Sequence, residues 1–306
     1  MRHHCHVSPI KYLLLAVIVF ATLSSSAQTK RAFLVGISNY GSLQLSKESS
    51  STWSNIHGSN DVQLLKPTLR KQGFEITSVC DNEATATTIR KMLDSFSSKC
   101  KNGDIIYIHF SCHGQPVEDI DGDEDDGWDE AIVACDAKRE YLKGVYTGEN
   151  HIIDDELNEY FCKIRTRIGK NGFVYAVIDA CHAGSSYRGV ENEDSIIIRG
   201  TNRGFSSSGK LFVPRINKAS QIRIESSKSM SDICLIEACR SYQTNAEIKE
   251  NGVYYGSLSF YVNEELKKTP LNKNTDWIGH VTKRMSQDPR LIRQNPVVES
   301  SCGTNL

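Results

Sequence analysis

Two stretches of the chain are apolar at consecutive positions, and each leads to a reactive side chain. Residues 173–179 form the first run and precede Cys181, whereas residues 104–111 form the second and precede His113. Strands that are apolar on both faces are typical of the centre of a sheet covered on both sides. Parallel strands end at one edge of such a sheet, and ligands bind there. The pattern therefore predicts that His113 and Cys181 share one crevice.

Around these runs the chain alternates between strand and helix periodicities. Strand patterns occur at 31–37, 74–80, 233–239 and near 296–298, and helical patterns at 60–71, 85–96, 256–267 and 276–285. Alternation of this kind predicts an α/β fold with a mainly parallel central sheet and helices on both faces.

Cys181 and His113 together are typical of nucleophilic catalysis. An imidazole near a thiol raises the thiolate fraction, and the thiolate attacks a carbonyl carbon. A cysteine taken alone is more often an ordinary core residue, so the interpretation depends on its pairing with His113. A zinc site made of Cys112, His113, Cys181 and His182 is a rival interpretation. Adjacent residues of an extended chain point in opposite directions, which disfavours four ligands on one ion.

Residues 1–27 have the pattern of a signal peptide. Arg2 and Lys11 supply a positive region, residues 12–23 an apolar region, and residues 25–27 a small-residue cleavage site. We therefore expect export from the cytoplasm, to a periplasm or the exterior, without a membrane span after cleavage. Removing two cations from 36 leaves 34 Lys and Arg against 37 Asp and Glu. This near-neutral balance argues against nucleic acid as a partner.

The composition divides the remaining chain into three parts. Residues 28–185 and 231–306 have the apolar patterns of one folded domain, and residues 186–230 between them are rich in Ser, Lys and Arg with little periodicity. We expect this connecting segment to be exposed, flexible and open to proteolysis.

Residues 118–130 are strongly acidic, with nine carboxylates among thirteen residues. An EF-hand is excluded because Asp126 stands where the loop needs Gly and Ile132 where it needs Glu. A solvated acidic loop is the simpler interpretation. So many carboxylates beside a crevice repel one another without a cation, which keeps calcium as a candidate ligand.

Several short motifs, in this order and spacing, resemble those of the metacaspases, which are caspase-fold cysteine peptidases of clan CD. The similarity covers roughly residues 32–300. It rests on Ala32-Phe33-Leu34-Val35-Gly36-Ile37 with Tyr40, Ser59-Asn60-Asp61, Ser111-Cys112-His113-Gly114, Asp179-Ala180-Cys181-His182-Ala183-Gly184, Glu237-Ala238-Cys239-Arg240 and Tyr255-Gly256-Ser257-Leu258.

This resemblance implies a caspase-like (caspase–hemoglobinase) fold and a role for each matching residue. Cys181 would be the nucleophile and His113 the general base and acid, and the N–H groups of Gly114 and Cys181 would form the oxyanion hole. The primary specificity pocket would be lined by Asp61, Ser111 and Asp179. Acidic groups there favour Arg or Lys before the scissile bond of a peptide or protein substrate.

The resemblance also bears on regulation. Calcium activation in the family uses acidic positions that match Asp129, Asp154 and Asp155, whereas Arg188 stands where a fourth acid is expected. Metacaspases are generally monomeric, so we expect a monomer. The basic residues of the segment 186–230, among them Arg199, make self-processing of a zymogen a further hypothesis. Two alternatives remain open: a clostripain- or gingipain-like peptidase of the same clan, and a catalytically silent caspase-fold binding module.

Overall fold

The computed structural model describes residues 28–41, 52–181, 196–201, 203–214, 224–273 and 275–301. The proposed signal peptide, residues 1–27, and Arg188 therefore lie outside the described residues. Along the described ranges, no helix is both long and apolar enough to cross a membrane.

The secondary structure follows the order expected for an α/β protein. The elements are β1 (Lys30–Gly36), α1 (Gly58–Lys71), β2 (Phe74–Cys80), α2 (Ala86–Lys99), β3 (Ile105–Ser111), β4 (His113–Glu118), β5 (Trp128–Val133), β6 (His151–Ile153), α3 (Asp154–Ile168), β7 (Phe173–Asp179), β8 (Asp232–Glu237), β9 (Glu247–Glu250), β10 (Val253–Gly256), α4 (Ser257–Leu266), α5 (Trp277–Ser286) and β11 (Val297–Ser300). Short 3-10 helices lie at Asp81–Glu83 and Pro289–Leu291.

A six-stranded sheet in the order β11-β8-β7-β3-β1-β2 forms the centre of the molecule. Its strand pairs are parallel except for β8 with β11. β3 and β7 are buried along their whole length because helices cover both faces. Apolar residues of α2 and α3 pack on one face, and those of α1, α4 and α5 on the other. The expected α/β fold, with a mainly parallel central sheet and helices on both faces, is confirmed.

Short strands outside the central sheet were missed by the sequence patterns. β4, β5 and β6 form a separate antiparallel sheet, and β9 pairs with β10 in a hairpin. The stretch expected to be only an acidic loop thus contains the end of β4 and the start of β5. These strands are three to six residues long, and their partners are set by tertiary packing rather than by their own alternation.

The segment 186–230 differs from the exposed linker that its composition suggested. In its described part, Arg199 has no solvent exposure, and Thr201 and Phe205 are each 3% exposed. The expectation of exposure is therefore wrong at these three positions. The reason is that neither the ion pairs of Arg199 nor the aromatic neighbours of Phe205 can be read from local composition.

Candidate active site

The ends of β3 and β7 bring the predicted catalytic residues to one edge of the sheet. Ser111 and Asp179 are partners in the parallel register, so His113 and Cys181 each follow two residues later. The backbone N–H groups of Gly114 and Cys181 both donate to the carbonyl oxygen of Arg199, at 3.3 and 2.9 Å. The site therefore contains two amides that converge on a single oxygen, as an oxyanion hole requires.

The His113 ring is held in one orientation. It stacks on Trp53 with ring centroids 4.8 Å apart, and its backbone N–H donates to the Tyr40 hydroxyl at 2.9 Å. Nε2 lies 2.8 Å from the carbonyl oxygen of Ser54, which can only accept a hydrogen bond. The neutral ring therefore carries its proton on Nε2 and leaves a lone pair on Nδ1.

The free nitrogen of His113 is suited to accept a proton. Nδ1 is buried and has no hydrogen-bond partner in the described part of the chain. Burial lowers the pKa of His113 to about 4, partly offset by its hydrogen bond to Ser54. The imidazole is consequently neutral at pH 7, in the protonation state of a general base.

Cys181 is fully buried in this state of the chain. Its thiol donates to the carbonyl oxygen of Gln243 at 3.0 Å, and the Cys239 sulfur lies 3.6 Å away. The neighbouring Cys112 is also buried, and burial raises its pKa to about 12. Cys112 therefore remains a protonated core thiol.

Asp61, Ser111 and Asp179 lie together around one buried pocket in the interior, which is filled by Arg199. The Ser111 hydroxyl donates to Asp61 Oδ2 at 2.6 Å. The pocket contains the guanidinium of Arg199, whose Nη2 lies 2.8 Å from Asp61 Oδ2 and whose Nη1 lies 3.6 Å from Asp179 Oδ1. Nη1 also donates to the Ser111 hydroxyl at 2.6 Å. The pocket thus binds an arginine side chain of the same chain.

A third carboxylate, Glu247, was missed by the sequence reasoning. Both Nε and Nη2 of Arg199 donate to Glu247 Oε1, at 3.0 and 2.8 Å. The other carboxylate oxygen, Oε2, lies 2.5 Å from Nδ1 of His57. Glu247 is the first residue of the four-residue strand β9. The alternating, partly polar sequence of this strand does not indicate that Glu247 is buried rather than exposed.

One guanidinium lies among three buried carboxylates, and the pKa values of Asp61, Asp179 and Arg199 reflect this imbalance. Burial opposes the charge of Arg199, yet Asp61, Asp179 and Glu247 outweigh burial and raise its pKa. Burial raises the pKa of Asp61 to about 7, even though Arg199 counteracts it. Burial would also raise the pKa of Asp179, but Arg199 and hydrogen bonds from Asn245 and Ser259 outweigh it and lower that pKa. Near neutral pH, the Asp61 carboxyl is therefore partly protonated.

The backbone around Arg199 lies across the site and is hydrogen-bonded on both sides. The Arg199 N–H donates to the carbonyl oxygen of Asn245 at 3.0 Å, and the Glu247 N–H donates to that of Ile197 at 2.9 Å. On the other side, Gly200 pairs with Gly114 and Cys181. A Cβ atom at Gly200 would lie 2.0 Å from the Cys181 carbonyl oxygen. The Arg199–Gly200 peptide bond therefore rests directly against the residue predicted to be the nucleophile.

The predicted metal ligands lie beside an acidic cluster but do not form a single group. Asp129 approaches Asp119 and Asp123, and Asp155 approaches Asp121 and Asp123, with one carboxylate oxygen of each residue within 4.8 Å of the others in its group. Asp154 belongs to neither group and accepts from the Glu130 N–H at 3.2 Å.

The carboxylates around Asp129 and Asp154 destabilise one another when they are charged. Burial raises the pKa of Asp129 to about 7 and that of Asp154 to about 8, and neighbouring carboxylates add to both shifts. An all-oxygen donor set of this kind fits a hard cation such as calcium. The spacing of Asp121 and Asp123 was a usable signal, whereas Asp119 was not anticipated.

Comparisons with known proteins match most of the chain. The caspase domain family matches residues 29–306. The chain is 27% identical over 285 residues to metacaspase-1 of Schizosaccharomyces pombe, which covers 80% of this chain and 62% of that protein. It is 24% identical over 312 residues to metacaspase-1 of Cryptococcus neoformans, with 88% and 63% covered. The chain thus spans under two thirds of the length of these relatives.

A solved structure is similar in fold. The crystal structure of protein GSU0716 from Geobacter sulfurreducens superposes with a TM-score of 0.59 at 20% identity, covering 89% of this chain and 93% of that one. At this identity the likeness concerns the fold alone.

Proposed function

The chain belongs to the caspase domain family of cysteine peptidases, and we propose that it is an arginine-directed endopeptidase that first cleaves its own Arg199–Gly200 bond. One observation carries this proposal: Arg199 occupies the site as a substrate would. Its guanidinium pairs with Asp61 and Glu247, and its carbonyl oxygen accepts from the N–H groups of Gly114 and Cys181.

The geometry supports an acyl-transfer mechanism. His113 Nδ1 takes the thiol proton of Cys181, and the sulfur attacks the Arg199 carbonyl carbon. The carbonyl oxygen becomes an oxyanion between the N–H groups of Gly114 and Cys181. The tetrahedral intermediate then collapses, the C–N bond breaks, and His113 returns the proton to the departing Gly200 amine. Water, with its proton taken by His113, hydrolyses the remaining thioester and releases the Arg199 carboxylate.

Glu247 is the basis for proposing Arg in preference to Lys. It accepts from both Nε and Nη2 of Arg199, and a lysine has no hydrogen-bond donor at the Nε position. A lysine ammonium would still meet Asp61 and Asp179 by charge. Lysine is therefore expected to be cleaved more slowly than arginine rather than excluded.

Self-processing is the part of the proposal that concerns regulation. Arg199 is completely buried in the pocket, so another chain cannot place its own arginine there while this one remains. Cleavage after Arg199 frees a chain end that can leave, which supports the interpretation of the intact chain as a zymogen.

Calcium is the cation proposed for the acidic cluster around Asp129 and Asp155. The support is the grouping of carboxylates and the raised pKa of Asp129. A bound cation would offset both the cost of burying charged carboxylates and their mutual repulsion. Bound calcium would supply positive charge that orders the loop between β4 and β5. Asp154 would orient this cluster through the Glu130 backbone.

The proposal is tested with the purified full chain and matched fluorogenic peptides that place Arg, Lys or Asp before the scissile bond, in the presence of calcium. We expect cleavage after Arg, slower cleavage after Lys and none after Asp, together with fragments that end at Arg199. Cleavage that persists in Cys181→Ala, or that follows Asp, would refute it. A fully inactive chain would favour the binding-module alternative.

A further inference from the structure

The chain beyond Gly200 is bound along the edge of β4. Gly200 pairs in parallel with Gly114, and Phe205 pairs in parallel with Val117. Between these two pairs there are three residue steps along β4 and five along the connecting segment. Gln115 holds the described part of this segment, because its Nε2 donates to the Arg203 carbonyl oxygen at 2.8 Å.

Phe205 packs against three aromatic side chains, in a pocket formed by residues 141–151. Its ring centroid lies 4.7 Å from that of His151, 5.6 Å from that of Tyr146 and 6.2 Å from that of Tyr141. The side chain is 3% exposed, and its backbone N–H donates to the Pro116 carbonyl oxygen at 2.7 Å.

Two features show that this pocket is shaped around an aromatic ring. Gly148 has a φ of +113°, and a Cβ atom there would meet the Phe205 ring at 2.9 Å. His151 is fixed between the Tyr146 hydroxyl at 3.0 Å and Gln115 Oε1 at 2.8 Å. Gln115 therefore contacts both His151 in the wall of the pocket and the Arg203 carbonyl oxygen on the segment that leads to Phe205.

We propose that this pocket is a substrate subsite for an aromatic side chain at the sixth residue after the scissile bond. This inference rests on the proposed function, because Gly200 is counted as the first residue after the cleaved bond. Apart from the ring, Phe205 is held through backbone N–H and carbonyl groups, which any polypeptide offers. β4 also carries Gly114 of the oxyanion hole. The aromatic anchor therefore sets how the chain lies across the nucleophile.

The decisive test uses peptides, so that the enzyme fold is unchanged between measurements. The parent peptide spans residues 196–207 with Arg203→Gln, which leaves one cleavable basic residue. Its two partners carry Phe205→Ala, or Phe205→Ala with Ser206→Phe, which moves the ring by one position. We expect kcat/KM to fall by roughly tenfold to a hundredfold for both partners, the size expected for losing one buried phenylalanine.

The peptides are given to two self-processed enzymes, the wild type and a Phe205→Ala variant whose pocket is free of its own ring. Discrimination should be larger in the Phe205→Ala enzyme, because no internal ring competes. Equal cleavage of all three peptides by both enzymes would overturn the subsite. Absence of cleavage of any peptide, including short arginine peptides, would instead refute the proposed function.

A second arm measures self-cleavage of the full chain. Phe205→Ala/Ser206→Phe should be slowed roughly tenfold relative to the wild type despite keeping the aromatic content. A purely structural role is checked by comparing thermal unfolding of the same two chains in the Cys181→Ala background. Full-rate cleavage in the shifted variant would contradict the proposal.

Discussion

The carbonyl oxygen of Arg199 lies 2.9 Å from the backbone nitrogen of Cys181, while the side chain of the same arginine is enclosed by three carboxylates. One residue thus joins the predicted specificity pocket to the predicted oxyanion hole. Because both ends of Arg199 are held, the bond that follows it has little freedom to move away from the nucleophile. This relationship leads to predictions that separate binding from chemistry.

Arg199→Gln should abolish cleavage between residues 199 and 200, because the neutral amide cannot balance Asp61 and Glu247. Arg199→Lys should cleave more slowly by roughly tenfold or more, the cost of lost charge-assisted hydrogen bonds. Fragment masses after fixed times measure both rates. Lys210→Gln, a cation of the same segment that lies outside the pocket, is the matched control and should cleave normally. Cleavage at the same bond in Arg199→Gln would contradict the assignment.

Glu247→Gln should reduce the preference for Arg over Lys, because the lost carboxylate accepts from Nε as well as Nη2. We expect the ratio of kcat/KM for matched Arg and Lys peptides to fall by about tenfold. Glu250→Gln is the control, since Glu250 ends the same strand and pairs with Arg290 away from the pocket. An unchanged ratio in an active Glu247→Gln enzyme would show that Glu247 does not select arginine.

Gly200→Ala should slow self-cleavage, because its Cβ would lie 2.0 Å from the Cys181 carbonyl oxygen. Neither atom belongs to a flexible side-chain end, so the bond must shift away from the site; overpacking of this kind costs about 1–3 kcal/mol. We expect a slowing of roughly tenfold or more. Peptides with Gly or Ala after the arginine provide the same comparison on an unchanged enzyme, and equal rates would refute the steric argument.

The pH dependence of self-cleavage should follow the lowered pKa of His113. Burial brings this pKa to about 4, so the ring stays neutral and able to accept a proton between pH 5 and 6.5. Only below about pH 4 does protonation of Nδ1 remove the base. Because the pKa of Asp61 is about 7, an inflection of the single-turnover rate near 7 is assigned to that carboxyl. The His113 ring is therefore followed by NMR in the folded Cys181→Ala chain, and a ring titration near 6.5 would contradict the lowered pKa of His113.

Asp129→Asn and Asp155→Asn should weaken calcium binding by roughly tenfold or more, since each removes one charged oxygen from a carboxylate group. The measurement is calorimetric titration of the Cys181→Ala chain, which remains intact and needs no activity. Asp94→Asn is the matched control, because this exposed acid on α2 pairs with Lys163 far from the cluster in sequence. Unchanged calcium affinity in both cluster variants would exclude this site.

The sequence alone predicted the central sheet and the shared edge of His113 and Cys181. Apolar runs of seven residues that end at Ser111 and Asp179 are typical of buried strands, and their common parallel direction brings His113 and Cys181 to one edge. In the structure, both strands begin and end within one residue of the bounds that their local patterns predicted. The local pattern is sufficient here because an uninterrupted apolar run of this length fits a strand buried on both faces, and it ends where polar residues begin.

Tertiary structure decided what fills the site. Arg199 lies in a segment whose composition is that of an exposed linker, yet it is buried because carboxylates from α1, β7 and β9 surround it. Glu247 and the aromatic pocket for Phe205 depend on contacts between elements far apart in sequence. Such contacts leave no periodic trace, since a single charge or ring is recognised by its spatial neighbours and not by the residues beside it in the chain.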